Sequence, residues 1–181
     1  PERVASLARV FNEGLASWCV AGCLKHFPGL GAVPLDTHEK LPLLELDPAE
    51  LDRKRNYLLL ISAVVPRPIA WVATIGPKEA PNCAPFSFFM GVSSHPPVIA
   101  FAVGQKRTGP KDTVRNIEYV PEFTVNICDE QLAEQMVKTG GDYAYGESEF
   151  EKAGLQPVPS DLIRPPRIGG APVQMECKLH Q

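Results

Sequence analysis

The 181-residue sequence lacks the features that mark several common classes of protein. Its four histidines are scattered and form no HExxH or other paired spacing, so we expect no metal site. No apolar run approaches the ~18 residues that a membrane-spanning helix needs. A net charge of -3 and a pI of about 5.8 argue against a broad basic face. We therefore expect neither nucleic acid nor a membrane as a partner.

The easily recognised catalytic and nucleotide-binding motifs are missing as well. No GxxxxGK[ST] or GxGxxG spacing occurs, so neither a P-loop nor a Rossmann site is indicated. Ser87 and Ser93 lie outside any GxSxG context, which argues against a hydrolase nucleophile. We interpret the acidic run of Glu147, Glu149 and Glu151 as a solvated surface rather than an acid–base pair. We therefore assign no catalytic side chain.

The five cysteines form no CxxC pair, and their number is odd. Cys19 and Cys23 would share one face of a helix. Two small buried hydrophobic residues are the favoured interpretation, and a metal held with outside ligands is the alternative. A reduced, cytoplasmic location is the expectation that follows.

The residues that are present divide the chain at about residue 42. We predict that residues 1–42 are an N-terminal extension ending in a linker, because residues 27–42 are rich in proline and glycine. The next stretch, LDPAELDRKRNYLLLIS, predicts a helix that is capped by Asp47 and has Pro48 at its first position.

Five extended runs follow residue 63, with short helical patterns between them. They are RPIAWVATIG, NCAPFSFFMGVSS, PPVIAFAVG, EFTVNICD and APVQMECKL. The third run is apolar on both faces, which predicts a central strand. Because no βαβ unit repeats, an antiparallel barrel with helical insertions is favoured. Five strands are few for a closed barrel, so we expect one or two further strands after residue 181.

The densest positive charge lies in VGQKRTGPKDTVRNIEYV, residues 103–120. Its four cations are Lys106, Arg107, Lys111 and Arg115. A helix is predicted to begin there with Asp112 or Thr113 as its cap, and a helix N-terminus beside cations is suited to a phosphate. The Thr113 hydroxyl can also donate to a phosphate oxygen. A solvated basic turn with an ordinary cap explains the loop equally well.

A second candidate is the run PNCAPFSFFMGVSSHPP, which places serines among Phe86, Phe88, Phe89 and Met90. Flat apolar walls with hydroxyl or backbone donors at their edge suit a planar heteroaromatic ring. The alternative, which this run alone favours, is a core strand whose serines bond to backbone.

Taken in order, the segments PRPIAWV, NCAPFSFF and KDTVRNI resemble the flavin reductase-like proteins with an FMN-binding split barrel, in particular the flavoredoxin type. The resemblance covers residues 43–181, and residues 1–40 match nothing in it. It implies a mainly β fold, an antiparallel split β-barrel with short helical insertions, and an FMN-binding domain over 43–181 that lacks its C-terminal strand or strands here. It also implies a homodimer that holds FMN near the subunit interface.

The resemblance further implies an oxidoreductase that passes electrons from NAD(P)H through bound FMN to an unknown acceptor. A non-enzymatic FMN-binding electron carrier or sensor, and a homologue that binds no flavin, are the alternatives. The implied cofactor-binding residues lie on the first strand, on the second strand and in the cationic loop. They are Trp71, Val72, Ala73 and Thr74; Asn82, Cys83, Ala84, Pro85, Phe86 and Ser87; and Lys106, Arg107, Lys111 and Thr113.

Overall fold

The structure is a computed structural model that describes residues 49–106 and 109–180. The chain forms two compact units that divide after Val65. In the first unit, helix α1 (Arg53–Ala63) begins after Asp52, whose Oδ1 accepts from the Arg55 N–H at 2.8 Å. Every residue of α1 is exposed or half-exposed.

The predicted start of this helix is wrong. Asp47 and Pro48 lie outside the described residues, and the helix begins at Arg53 instead. The reason is that Asp52 is an equally good capping residue, stands directly before the run RKRNYLLLISA and accepts the Arg55 N–H.

The second unit is mainly β, and its strand pairs are all antiparallel among the described residues. Its strands are β1 (Ala70–Ile75), β2 (Pro81–Phe86), β3 (Phe89–Ser94), β4 (Pro97–Phe101), β5 (Glu122–Ile127), β6 (Pro157–Val158), β7 (Arg167–Ile168) and β8 (Val173–Lys178). Its helices are α2 (Asp112–Tyr119), α3 (Ala133–Thr139) and α4 (Glu149–Ala153), with a 3₁₀ turn at Glu130–Leu132. The predicted mainly antiparallel fold with short helices is thus confirmed.

The main sheet has four strands in the order β2-β1-β5-β8, and β3-β4 and β6-β7 form separate pairs. The described strands therefore do not close into one barrel, and this part of the prediction is not seen. The run NCAPFSFFMGVSS, predicted as one extended segment, is divided into β2 and β3 by a bend at Ser87 and Phe88.

The prediction that PPVIAFAVG is a central strand is wrong. It forms β4, which pairs only with β3 among the described strands. Its apolar residues belong to two different environments: Ile99 and Phe101 pack against the core, whereas Ala100 is exposed. The central strands of the main sheet are β1 and β5.

Hydrophobic clusters cover both faces of the main sheet. On what we call the α4 face, Trp71, Ala73 and Cys83 pack with Phe150 of α4 and Ile168. On the opposite α2 face, Ala70, Val72, Phe86 and Val125 pack with Ile117 of α2. Because side chains alternate along each strand, neighbouring residues of one motif are sent to opposite faces.

Candidate functional site

The antiparallel pairing of β1 and β2 brings two of the predicted motifs together. Thr74 lies opposite Asn82, and Trp71 lies opposite Pro85. Strand β2 is the edge of the main sheet, and the Cys83 N–H points away from β1 to donate to Glu149 Oε2 at 3.3 Å. Pro81 and Pro85 share the alternate positions of Cys83. Prolines are tolerated there because an edge strand needs no ladder hydrogen bond on that side.

Four buried polar side chains meet on the α2 face, where β1, β2 and α2 come together. Asn82 Oδ1 accepts from the Thr74 hydroxyl at 3.2 Å and from the Thr113 hydroxyl at 3.4 Å. Asn116 Nδ2 donates to Thr74 Oγ1 at 3.0 Å, and Asn116 Oδ1 accepts from the Tyr145 hydroxyl at 3.3 Å. Three of the predicted site residues, Thr74, Asn82 and Thr113, are therefore brought into one network.

Glu149, the first residue of α4, closes this network from the edge of β2. Asn82 Nδ2 donates to both carboxylate oxygens of Glu149, at 2.8 Å each. The side chain is only 5% exposed, so the prediction of a solvated surface is wrong for this member of the acidic run. Burial raises the pKa of Glu149 to about 6, and the nearby charge of Asp112 acts in the same direction.

Helix α2 begins at the cationic loop, as predicted, but its cap differs. Lys111 is the N-cap residue, and within the described residues it makes no side-chain capping hydrogen bond, so the prediction of Asp112 or Thr113 as the cap is wrong. The Thr113 hydroxyl is instead turned inward to Asn82. The α2 N-terminus is thus left without a side-chain cap, which suits it to an anion from outside.

The cations of the loop are arranged differently from one another. Lys111 Nζ lies 5.3 Å from the centroid of the Phe86 ring, and the Arg115 guanidinium lies 5.1 Å from that of Tyr145. Lys106 lies beside Asp142, with 3.7 Å between Nζ and Oδ1. Arg107 falls outside the described residues. Among the loop cations that the structure describes, Lys111 is therefore the one that lies against strand β2.

The other predicted site residues are divided between the two faces of the sheet. Trp71, Ala73 and Cys83 lie on the α4 face, and Val72, Ala84 and Phe86 lie on the α2 face. Trp71, Val72 and Ala73 are fully buried, and Trp71 Nε1 donates to Thr139 Oγ1 at 2.9 Å. Ser87 follows β2 and accepts from Arg67 Nε at 3.4 Å.

A small pocket of about 210 Å³ opens beside the polar network. Its polar lining comes from both ends of the network and from the turn after β1: Lys78, Asn82, Asp112, Asn116, Tyr145 and Glu147. The start of α2, and not the lining of this pocket, has the chemistry that fits a phosphate ester, because the helix N-terminus without a side-chain cap and the Lys111 ammonium both favour negative charge.

Sequence reasoning missed Asn116, Tyr145 and Glu149. Asn116 had a usable signal, because it follows Thr113 by three residues and the two must share a helix face. Glu149 had none, since it reaches Asn82 from 67 residues away along the chain. Among residues 49–106 and 109–180, no helix is long and apolar enough to span a membrane.

The antiparallel sheets and short helices of this unit define its class as a mainly β protein with helical insertions. Comparison with known families is more specific. The family described as the flavin reductase-like domain matches residues 62–181. The chain therefore belongs to the flavin reductase-like family, which confirms the predicted resemblance.

Similar proteins support this membership. An uncharacterised protein of Halalkalibacterium halodurans is 43% identical over 137 residues, which cover 75% of this chain and 66% of that protein. An uncharacterised protein of Aquifex aeolicus is 44% identical over 133 residues, covering 73% of this chain and 68% of that protein. The chain thus spans about two thirds of the length of these curated relatives.

Solved structures are similar in fold and sequence. Nitrilotriacetate monooxygenase component B from Bacillus cereus is 37% identical with a TM-score of 0.74, covering 77% of this chain and 69% of that one. The Pseudomonas fluorescens 2-nitrobenzoate 2-nitroreductase is 36% identical with a TM-score of 0.68, covering 76% and 66%. The flavoredoxin of Desulfovibrio vulgaris is 26% identical with a TM-score of 0.60, covering 65% and 62%.

Proposed function

We propose that the chain is an FMN-binding oxidoreductase that passes electrons from NAD(P)H through bound FMN to an acceptor. The observation that carries this proposal is the position of Lys111, which stands at the start of α2 and places its ammonium over Phe86 of β2. A phosphate bound at that helix start would have its attached ring along β2. Membership of the flavin reductase-like family supports the same cofactor class.

The residues divide into three tasks in this proposal. Lys111, Lys106 and the N–H of Thr113 hold the phosphate, and Arg107 belongs to the same set. Residues 82–87 lie along the ring and the ribityl chain. Residues 71–74 support the site from below strand β2. Their side chains are fully buried, and their pairing with β2 holds that strand in register.

The bound cofactor supplies the redox chemistry, since a flavin can accept a hydride from a reduced nicotinamide and pass electrons on singly or in pairs. The chain's own contribution is to bind the flavin, to orient it and to keep water from one ring face. No side chain has to donate or remove a proton for this, which agrees with the absence of a predicted acid–base pair.

The test is to purify the protein with added FMN and to mix it anaerobically with NADH or NADPH. Loss of the visible flavin absorbance with either nucleotide is the expected result. If neither nucleotide reduces the bound FMN but a partner reductase does, the protein is an electron carrier and not an NAD(P)H-dependent enzyme. Failure to retain any flavin would reject the proposal.

The names of two similar structures suggest acceptor classes to test. One protein is named as a monooxygenase component and the other as a nitroreductase. We propose that the electrons leave either to a partner component or to a nitroaromatic compound. Anaerobic oxidation of NAD(P)H over many turnovers, measured with and without 2-nitrobenzoate, distinguishes them, because only the nitroaromatic acceptor would sustain turnover without a partner.

We also propose that the chain forms a homodimer. Strand β3 presents two large apolar side chains to solvent, Met90 and Val92, which are 61% and 58% exposed. Exposed apolar side chains close together are typical of an interaction surface. Light scattering after size exclusion should give twice the mass of one chain, and a monomer at micromolar concentration would reject the dimer.

A further inference from the structure

We propose that Glu149 is a positioning residue of the candidate site, whose carboxylate fixes the direction of a hydrogen-bond chain and thereby keeps the Thr113 hydroxyl from donating to a bound anion. This inference rests on the proposed function, because the anion in question is the FMN phosphate at the start of α2. Nothing in the family membership assigns this role to Glu149.

The direction of the chain is dictated at Glu149. An ionised carboxylate accepts hydrogen bonds and cannot donate them. Both of its oxygens lie 2.8 Å from the Asn82 amide, so Asn82 must turn its NH₂ group towards Glu149. The Asn82 carbonyl oxygen then faces α2 and β1, where it can only accept.

The neighbouring hydroxyls must therefore act as donors. The single proton of Thr113 is used at 3.4 Å on Asn82 Oδ1, and that of Thr74 is used on the same oxygen at 3.2 Å. With its proton committed, Thr74 accepts from Asn116 Nδ2. The Asn116 carbonyl oxygen is in turn left to accept from Tyr145. Every donor in the chain points towards Glu149.

Thr113 lies in the first turn of α2 and is 1% exposed. For its hydroxyl to donate to an anion at the helix start without losing the hydrogen bond to residue 82, Asn82 must present its NH₂ group to Thr113 instead. The Asn82 amide can flip in this way only if residue 149 offers a donor to the carbonyl oxygen. A protonated Glu149 or a glutamine in its place does so, whereas the carboxylate does not.

The ionisable groups around Glu149 make this change accessible. Burial is the main cause of the raised pKa of Glu149, and the negative charge of Asp112 in α2 raises it further. Burial and the charge of Glu149 also raise the pKa of the Cys83 thiol in β2, so this thiol stays neutral. Helix α3, which also packs on α4, carries Glu134 and Lys138 in exposed positions. On α4 and just before it, Lys152 pairs with Glu147 at the surface. No cation among the described residues pairs with the Glu149 carboxylate.

The first experiment needs no flavin. Side-chain amide resonances of Asn82 and Asn116 are followed by NMR in ¹⁵N-labelled protein as the pH is varied. We expect both amides to shift with one common midpoint, near the pKa of Glu149 of about 6, and the shift to vanish in Glu149→Gln. The inference would be overturned if the Asn82 resonances shifted and those of Asn116 did not. It would also be overturned if the same titration midpoints were seen in Glu149→Gln.

The second experiment compares the dissociation constants of FMN and riboflavin at pH 7.5, a pH roughly 1.5 units above that midpoint. Glu149→Gln should tighten FMN by roughly tenfold and change riboflavin by less than about twofold, because one charge-assisted hydrogen bond to the phosphate is gained. In a Thr113→Val background the same substitution should have no effect on FMN, whereas in Thr113→Ser, which keeps the hydroxyl, the effect should remain.

Asp112→Asn is the matched control, since it removes a neighbouring carboxylate without entering the chain. Its effect on FMN should be the same with threonine or valine at position 113. If Glu149→Gln still tightens FMN in the Thr113→Val background, the carboxylate acts through charge alone and the inference is overturned. If the wild-type protein binds no FMN, the proposed function fails, and the NMR titration alone then decides the direction of the chain.

Discussion

Lys111 Nζ lies 5.3 Å from the centroid of the Phe86 ring, and this contact joins the start of α2 to strand β2. The ammonium is thereby held near both parts of the proposed flavin site. Since Lys111 also occupies the N-cap position, its charge adds to the positive end of the α2 dipole.

Lys111→Ala should weaken FMN binding by roughly 10- to 100-fold, the effect of losing a charge-assisted contact worth about 1.5–3 kcal/mol. Riboflavin binding should change by less than about threefold. Fluorescence quenching of each flavin gives both dissociation constants. The matched control is Lys138→Ala, an exposed lysine in the last turn of α3. An equal loss for the two flavins would show that Lys111 acts through folding.

The strands were predictable because their patterns are local. RPIAWVATIG and EFTVNICD alternate and end at turn residues, and they became β1 and β5. Partners were harder, since pairing depends on residues far apart in sequence. PPVIAFAVG is apolar on both sides whether it lies in the centre or beside a single partner, so the pattern alone could not exclude β4 as an outer strand.

The candidate site was predictable where its residues share a motif with a clear physical purpose. The cluster of cations at the start of α2 is such a case, whereas the pairing of Thr74 with Asn82 was not predicted, because it depends on how two separate motifs pair. Glu149 was not, because an acidic run is usually solvated and the burial of one member is set by how α4 docks on the edge of β2. The resemblance also could not predict which site residues lie on which face of the sheet, because it gives positions along the sequence and not the directions of side chains.

Trp71 provides a prediction about stability. Its Nε1 donates to Thr139 Oγ1, and that hydroxyl donates to the Met136 carbonyl at 2.7 Å. Thr139→Val keeps the shape but leaves the buried indole N–H unpaired, so we expect a loss of about 1–3 kcal/mol in the free energy of unfolding. Urea denaturation measures it.

The control for that prediction is Thr139→Ser, which keeps the hydroxyl and loses only a methyl group. It should cost about 1 kcal/mol and less than the valine variant. The reverse order would mean that packing of the Thr139 methyl group, and not the Trp71 hydrogen bond, matters at this position.

Glu149 should make the free energy of unfolding depend on pH. Its pKa is raised to about 6 in the folded protein from an ordinary value of 4.5, so the folded state binds more protons between these two values. Stability from this group is present below pH 4.5 and is lost as the pH rises through 6. The loss amounts to about 2 kcal/mol at neutral pH.

We therefore expect Glu149→Gln to remove a fall in unfolding free energy between pH 4.5 and 7, measured by urea denaturation at each pH. The pKa values of Glu147 and Glu176 are lowered, mainly by hydrogen bonds from backbone N–H groups. These two residues therefore lower the stability as the pH falls below 4.5. Because both are present in the wild type and in Glu149→Gln, their effect cancels when the two profiles are subtracted. Glu151→Gln, an exposed position on the same helix, should leave the profile unchanged. A wild-type profile that does not fall in this range would contradict the raised pKa.

Asn82→Asp tests the contact between Asn82 and Glu149 most severely. The substitution replaces the amide donor, 2.8 Å from both Glu149 oxygens, by a second carboxylate in a buried place. The two groups cannot both ionise there, so at pH 7 we expect a loss of about 3–5 kcal/mol in the free energy of unfolding. The loss should shrink as the pH falls towards 5, because the pair then holds a shared proton in the folded state.

Adding Glu149→Gln to Asn82→Asp restores one donor and one acceptor with their positions exchanged. This double variant should recover most of the stability at pH 7 and lose the part of the pH dependence that comes from the shared proton, leaving only that of a single buried carboxylate. A double variant no more stable than Asn82→Asp alone would show that the cost lies in the contacts of Asn82 with Thr74 and Thr113, and not in its pairing with Glu149.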